Sequence, residues 1–309
     1  MSACPVPGHE SDALVRVIKS GICNTDLEIA RGYAGFEGTL GHEFVGIVEK
    51  AAGSPELIGK RVVGEINVGC GQCDRCVQGD SRHCPSRTVL GIVGRDGAHA
   101  EFLQLPARNL IEVPGNVSDD AAVFVEPLAA AHGIAERANI AAETSVAVIG
   151  DGKLGLLCAI VLSLKTKDLL LIGKHSEKLA HANLNGRGID VMKYPIPEKF
   201  DKKFDVVVEA SGSESGFATA LDLVRPLGTI VLKSTFHGTP TWAASRVVVD
   251  EITIVGSRCG RFTPALDLLS FGEVRVDDLI SEEMRLSDGV AAMARAAQPG
   301  VLKILLSNT

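Results

Sequence analysis

The sequence predicts a two-domain α/β chain in which a barrel-like all-β domain is joined to a doubly wound parallel sheet. Three observations carry that expectation. At 309 residues the chain is longer than one core comfortably holds. Up to about residue 113 it reads as many short strands divided by turn signals, the pattern of a barrel. From Ser145 the grammar changes to buried strands alternating with helices, which marks βαβ units.

Taken in order, residues 1–12 are punctuated by Pro and Gly and read as an irregular lead-in. Residues 13–18 set Leu14, Arg16 and Ile18 against Val15 and Val17, which suits a strand. Gly21-Ile22-Cys23-Asn24-Thr25-Asp26 follows; nineteen residues after Cys23 comes Gly41-His42-Glu43, which leads into a strand at 44–49. Singly these residues say little, because a buried Cys is usually a small hydrophobe. Together they supply ligands of the kinds zinc prefers.

A strand at 59–67 delivers the chain to a lobe at 69–85 that holds Cys70, Cys73, Cys76 and Cys84, four of the eight cysteines. The segment is too polar to build an apolar core, so a cross-link must hold it. Four thiolates at this spacing close a tetrahedral, structural zinc site. Two disulfides are the rival reading, but the N-terminus shows no secretory signal and cytosolic thiols are kept reduced. An iron–sulfur run places its fourth cysteine after three residues, whereas seven intervene here. Short β segments at 89–93, 100–105 and 110–113 complete the first domain. An alanine-rich helical stretch, 119–131, contains Glu126-Pro127, where the proline starts or kinks a turn and leaves the carboxylate at an irregular point.

In the second half, the apolar run 145–149 meets Gly150-Asp151-Gly152-Lys153-Leu154-Gly155 and then a helix at 156–164. A G-x-G-x-x-G run between strand and helix is a dinucleotide-binding fingerprint. Its glycines allow the tight turn and close approach to a pyrophosphate, which the helix N-terminus attracts. Further strands are expected at 169–172, 205–210, 229–233 and 252–256, with helices at 177–184 and 215–224. Beyond about Ser257, helices at 264–271 and 286–297 and a strand at 301–306 read as a tail returning to the first domain. The expected domains are therefore 1–126 with 258–309, and 127–257. A net charge of −7 without a basic block argues against nucleic acid as a partner. The absence of an eighteen-residue apolar run argues against a membrane span and for a cytoplasmic protein.

Set in this order, the Cys23-x-Thr25-Asp26 stretch, Gly-His42-Glu43, the four-cysteine lobe, Glu126-Pro127, the Gly150–Gly155 loop and Asp205-Val-Val-Val-Glu-Ala-Ser-Gly212 resemble the zinc-dependent medium-chain alcohol/polyol dehydrogenases over nearly the whole chain. The resemblance implies a GroES-like β-barrel catalytic domain, a Rossmann domain and an active site in the cleft joining them. It also implies two zinc ions per chain, one catalytic and one structural. Cys23 and His42 match catalytic-zinc ligands, and Glu126 matches the position where polyol-type members supply a carboxylate. Glu43 matches the acid beside the metal, which can exchange into coordination, and Thr25 the hydroxyl that relays the substrate proton. Lys303 resembles the cation that meets the cofactor pyrophosphate. The competing readings are a core thiol for Cys23, a helix-end carboxylate for Glu126 and a turn cap for Thr25. Two departures stand out: the first hairpin is shortened, and Glu28 replaces a relay histidine.

The resemblance implies hydride transfer between an alcohol and a nicotinamide cofactor, with dimers or tetramers as the assemblies. The direction of reaction is open, so an aldehyde or ketone reductase is the alternative, and a redox-inactive cofactor sensor is the rival from another class. Glycine stands at 173 where an acid would hold the ribose of NAD, and Lys174, His175 and Lys178 follow, which favours NADP. The rival reading is a solvated helix start with Glu177 on the ribose. Ser211, Gly212, Ser234 and Thr235 lie at strand ends where open α/β sheets bind ligands. Glu65 and Asn67 tilt the substrate choice towards polyols or sugars.

Overall fold

Alternating burial makes β1 (Asp12–Gly21) the seam of the N-terminal half, with Ala13, Val15 and Val17 turned inward. The computed structural model describes residues 12–32, 35–183, 186–235 and 243–308; the lead-in at 1–11 lies outside them. The chain divides into two units, one from Met1–Glu126 with Phe262–Thr309 and the other Pro127–Arg261.

In the first unit β1 is followed by β2 (Glu43–Lys50), β3 (Arg61–Gly64), β4 (Asn67–Val68), β5 (Thr88–Leu90), β6 (Gly94–Arg95), β7 (Phe102–Pro106) and β8 (Leu110–Glu112). The stretch expected as one strand at 59–67 is thus broken at Glu65 and Ile66, and β4, β5 and β6 form a small separate sheet. The stretch expected as one helix at 119–131 is two, Asp119–Val123 and Val125–His132, divided at Phe124. Ser118 caps the first, its Oγ accepting from the Ala121 N–H at 3.1 Å. Pro127 falls in the first turn of the second, where a missing N–H breaks no helical bond.

The second unit is built on six parallel strands: β9 (Val146–Ile149), β10 (Leu169–Gly173), β11 (Asp190–Lys193), β12 (Phe204–Glu209), β13 (Val224–Leu232) and β14 (Thr253–Gly256). They are ordered β11-β10-β9-β12-β13-β14. The chain runs outward from β9 in both directions, which leaves a switch point at its carboxyl end, between β10 and β12. The helix Lys153–Leu162 is buried from Gly155 to Leu162 without a polar face. Each leucine so removed from water contributes roughly 1.5–3 kcal/mol. Where one helix was expected at 177–184, Ser176–Leu179 is followed by a 3-10 turn, Ala180–Asn183; residue 184 is outside the described set.

The tail adds β15 (Ile280–Arg285) and β16 (Lys303–Ser307) to the first unit, giving the order β15-β16-β1-β2-β3-β8, with β7 also on β1. β16 runs antiparallel to β1, with Lys19 opposite Ser307 and Gly21 opposite Leu305. Ile22 and Leu27 pack with Ala292, Ile304 and Leu306. The C-terminal residues therefore fix the segment that carries Cys23 and Thr25. Among the described residues no helix is long and apolar enough to cross a membrane.

Candidate functional site

Cys23 is the cap residue of the short helix Asn24–Ala30, and His42 and Glu43 stand at the start of β2. Pairing of β1 with β2 sets Gly21 opposite Glu43 and so brings the two motifs together. One ligand atom from each of Cys23, His42 and Glu43 lies within 4.8 Å of the others. His42 and Glu43 are buried, Cys23 partly so.

The cluster is braced by a residue the sequence reading did not single out. Asp26, fully buried, accepts the N–H of Cys23 at 2.7 Å and that of Gly41 at 3.2 Å. Its Oδ1 lies 3.3 Å from His42 Nδ1, and its Oδ2 3.6 Å from His99 Nε2. Burial opposes its charge, but His42 and His99 hold the carboxyl well below the usual range. Burial likewise works against a charged His42, and Asp26 and Cys23 carry the imidazole well above its usual value. Ser20 Oγ meets His99 Nδ1 at 2.9 Å and holds that ring in turn. A carboxylate behind an imidazole fixes which nitrogen faces a metal, and replacing such a partner typically costs 10–100-fold in affinity. Asp26→Asn is therefore expected to weaken zinc at this cluster by about 10- to 100-fold in chelator competition, leaving the four-cysteine lobe unchanged. Equal affinity in the variant would reduce Asp26 to a packing role.

Lys303, read as resembling the cation that meets the cofactor pyrophosphate, stands beside this cluster. It is fully buried on β16, its ammonium paired with Glu43 Oε2 and 3.4 Å from the Ile22 carbonyl. An ammonium removed from water takes a buried carboxylate as its counter-charge. Glu43 Oε1, also buried, has no hydrogen-bond partner among the described residues.

Glu126 stands half-buried in the first turn of Val125–His132 and is not in the three-residue group. Desolvation pushes its carboxyl up to about 7; His42 and Lys303 oppose the shift, and Glu43 and Glu65 add to it. Thr25 Oγ1 accepts from Cys23 Sγ at 3.8 Å. Glu28, partly buried, pairs with the exposed Arg31 at 2.8 Å. Asn67 is fully buried and donates to Glu65 Oε1 at 2.6 Å, so it props the turn rather than offering a polar group to substrate.

In the lobe, Cys70, Cys73, Cys76 and Cys84 form a second group by the same measure. The Cys70 N–H donates to Cys84 Sγ at 3.4 Å. Backbone N–H groups of Gln72 and Cys73 draw the Cys70 thiol down to about 6, while burial pushes Cys76 up to about 11. Four converging thiols with one already poised to ionise fit a tetrahedral metal. At Cys23 and His42, a thiol, an imidazole and an unpartnered buried carboxylate oxygen fit zinc as a mixed donor set.

In the second unit Gly150 has φ +126°, and a Cβ on Gly155 would lie 2.0 Å from the Gly150 carbonyl oxygen, so the turn accepts only glycine at both positions. A Cβ on Gly152 would meet nothing, which leaves open the face where Lys153 and Leu154 begin their helix. Asp151 accepts the N–H groups of Lys174 and His175, beside Gly173. Lys178 lies one helical turn further on, half-buried. Ser211 bonds to Glu209 through N–H (2.8 Å) and Oγ (2.6 Å), and Ser234 Oγ accepts the Gly212 N–H at 2.8 Å. These two serines stand at neighbouring strand ends and brace the loop there.

A family model described as the alcohol dehydrogenase GroES-like domain matches residues 9–115, and one described as zinc-binding dehydrogenase matches residues 172–271. A medium chain reductase/dehydrogenase from an Acremonium species is 31% identical over 269 residues, 78% of this chain and 91% of that relative. A structure described as a zinc-binding dehydrogenase from Sinorhizobium meliloti 1021, bound to NADP, is 28% identical with TM-score 0.86, covering 98% of this chain and 93% of its own. A structure described as a short chain alcohol dehydrogenase from Escherichia coli CFT073, complexed with NADH, is 27% identical with TM-score 0.89, covering 98% and 94%.

Proposed function

Because the chain belongs to the zinc-type medium-chain alcohol dehydrogenase family, we propose that it transfers hydride between a hydroxyl-rich alcohol, a polyol or sugar, and NADP. That it is an oxidoreductase of alcohols working with NAD(P) follows from the family. The observation that carries the rest is the meeting of Cys23, His42 and Glu43 around Asp26.

A zinc ion in this donor set supplies a Lewis acid that lowers the pKa of an alcohol oxygen and, in reverse, polarises a carbonyl. Cys23 and His42 would hold it, with a carboxylate from Glu126 or Glu43. Supporting Glu43 is its oxygen within 4.8 Å of the Cys23 and His42 donor atoms, with Lys303 offsetting its charge; supporting Glu126 is its nearness to His42 and Glu43. Asp26 keeps His42 oriented. Thr25, beside Cys23, accepts the substrate proton and passes it outward, with Glu28, paired to Arg31, where relatives carry a relay histidine. A carboxylate in place of a second thiolate leaves the metal more electrophilic, which suits polar substrates. NADP is favoured because Gly173 removes the ribose acid and Lys174, His175 and Lys178 add cations.

The test is a panel of alcohols, polyols, sugars and carbonyls, run with both cofactors on protein of measured zinc content and followed by nicotinamide absorbance. Turnover of polyols or sugars with a higher kcat/KM for NADP is expected. Activity confined to simple alcohols, or a clear preference for NAD, would refute the finer reading.

A further inference from the structure

Gly173 ends β10 where an acid would read the ribose 2′-hydroxyl, yet a carboxylate stands there all the same. It belongs to Asp151, the second residue of the glycine loop. A Cβ built on Gly173 would lie 2.5 Å from Asp151 Cβ and 2.6 Å from its Oδ2, so Asp151 fills the space a side chain at 173 would take. Oδ2 accepts the N–H of Lys174 and of His175, each at 2.6 Å, and lies 3.0 Å from His175 Nδ1. Among the described residues Oδ1 has only a 3.3 Å approach to the same imidazole, which leaves it lone pairs to spare. The Asp151 side chain is 11% exposed, enough to reach a ligand without being mobile. Two successive backbone amides and an imidazole at a strand end are donors that a phosphate monoester would engage. An internal anion already holds them.

We infer that Asp151 sets discrimination at the ribose 2′ position. Its free oxygen accepts the 2′-hydroxyl in place of the acid missing at 173. Its charge and its hold on the two amides work against a 2′-phosphate. The inference rests on reading Gly150–Gly155 as the dinucleotide loop. It tempers the NADP preference, since Lys174, His175 and Lys178 draw a phosphate that Asp151 repels, and both cofactors stay usable.

Calorimetric titration with adenosine 2′,5′-bisphosphate and with 5′-AMP tests this on the intact chain, without catalysis. Asp151→Asn keeps the shape and an oxygen for the two amides but removes the charge; Asp151→Ala frees the amides altogether. In both variants the affinity ratio of bisphosphate to 5′-AMP is expected to rise by about tenfold or more, as loss of one nearby charge predicts. A ratio within about twofold of the wild type in both variants, including equal loss of both ligands, is what a bracing role gives and would overturn the inference. If the wild-type enzyme prefers NAD but the ratio still rises, the NADP reading falls and the role of Asp151 stands.

Discussion

Cys23→Ala is expected to cut turnover by roughly a thousandfold or more, about 4 kcal/mol of transition-state stabilisation, while the unfolding midpoint barely moves. Cys23 is only partly buried and belongs to neither of the two apolar clusters described, so losing its sulfur leaves no large cavity there. What the change removes is the soft donor of the three-residue group. His42, Asp26 and Glu43 remain, held by β2 and by Lys303, but an imidazole and a carboxylate bind zinc far less tightly than with a thiolate. Metal analysis should show one zinc per chain lost and the lobe zinc kept. Full activity in the variant would leave Cys23 as a packing thiol.

Cys84→Ser should give the opposite pattern. Cys84 is fully buried, yet the lobe around it offers almost nothing else to hold a fold. Its helix Asp74–Val77 has no buried residue, and Val77 is 74% exposed. Without the fourth thiolate the tetrahedral site opens and residues 69–85 lose their cross-link. We expect a stability loss of roughly 2–5 kcal/mol, the range for removing a native covalent cross-link. Limited proteolysis should then cut within 69–85, with the zinc at Cys23 retained. Unchanged protease resistance and midpoint would show that the lobe needs no metal.

Much of this was legible because its signals are local. Four cysteines within fifteen positions declare their site by spacing alone, and the glycine loop sits between strand and helix as its chemistry requires. The buried strands β9, β10 and β12 are apolar runs. The edge strands β11 and β15 were missed because Asp190–Lys193 and Ile280–Arg285 are largely exposed and carry no burial pattern. Asp26 and His99 are separated by 73 positions, and Glu43 and Lys303 by 260; the pairing of β1 with β2, β7 and β16 brings them to one place. The same holds for Asp151: an acid absent from position 173 is visible in sequence, but its replacement from 22 residues earlier is a matter of where two loops meet.

The proposed chemistry turns on a metal held by Cys23 and His42. Zinc content with X-ray absorption on fully active enzyme tests it most directly. Two zinc ions per chain are predicted, with an edge spectrum that needs one all-sulfur shell and one mixed shell of sulfur, nitrogen and oxygen. A single zinc in an all-sulfur shell, at full activity, would contradict it.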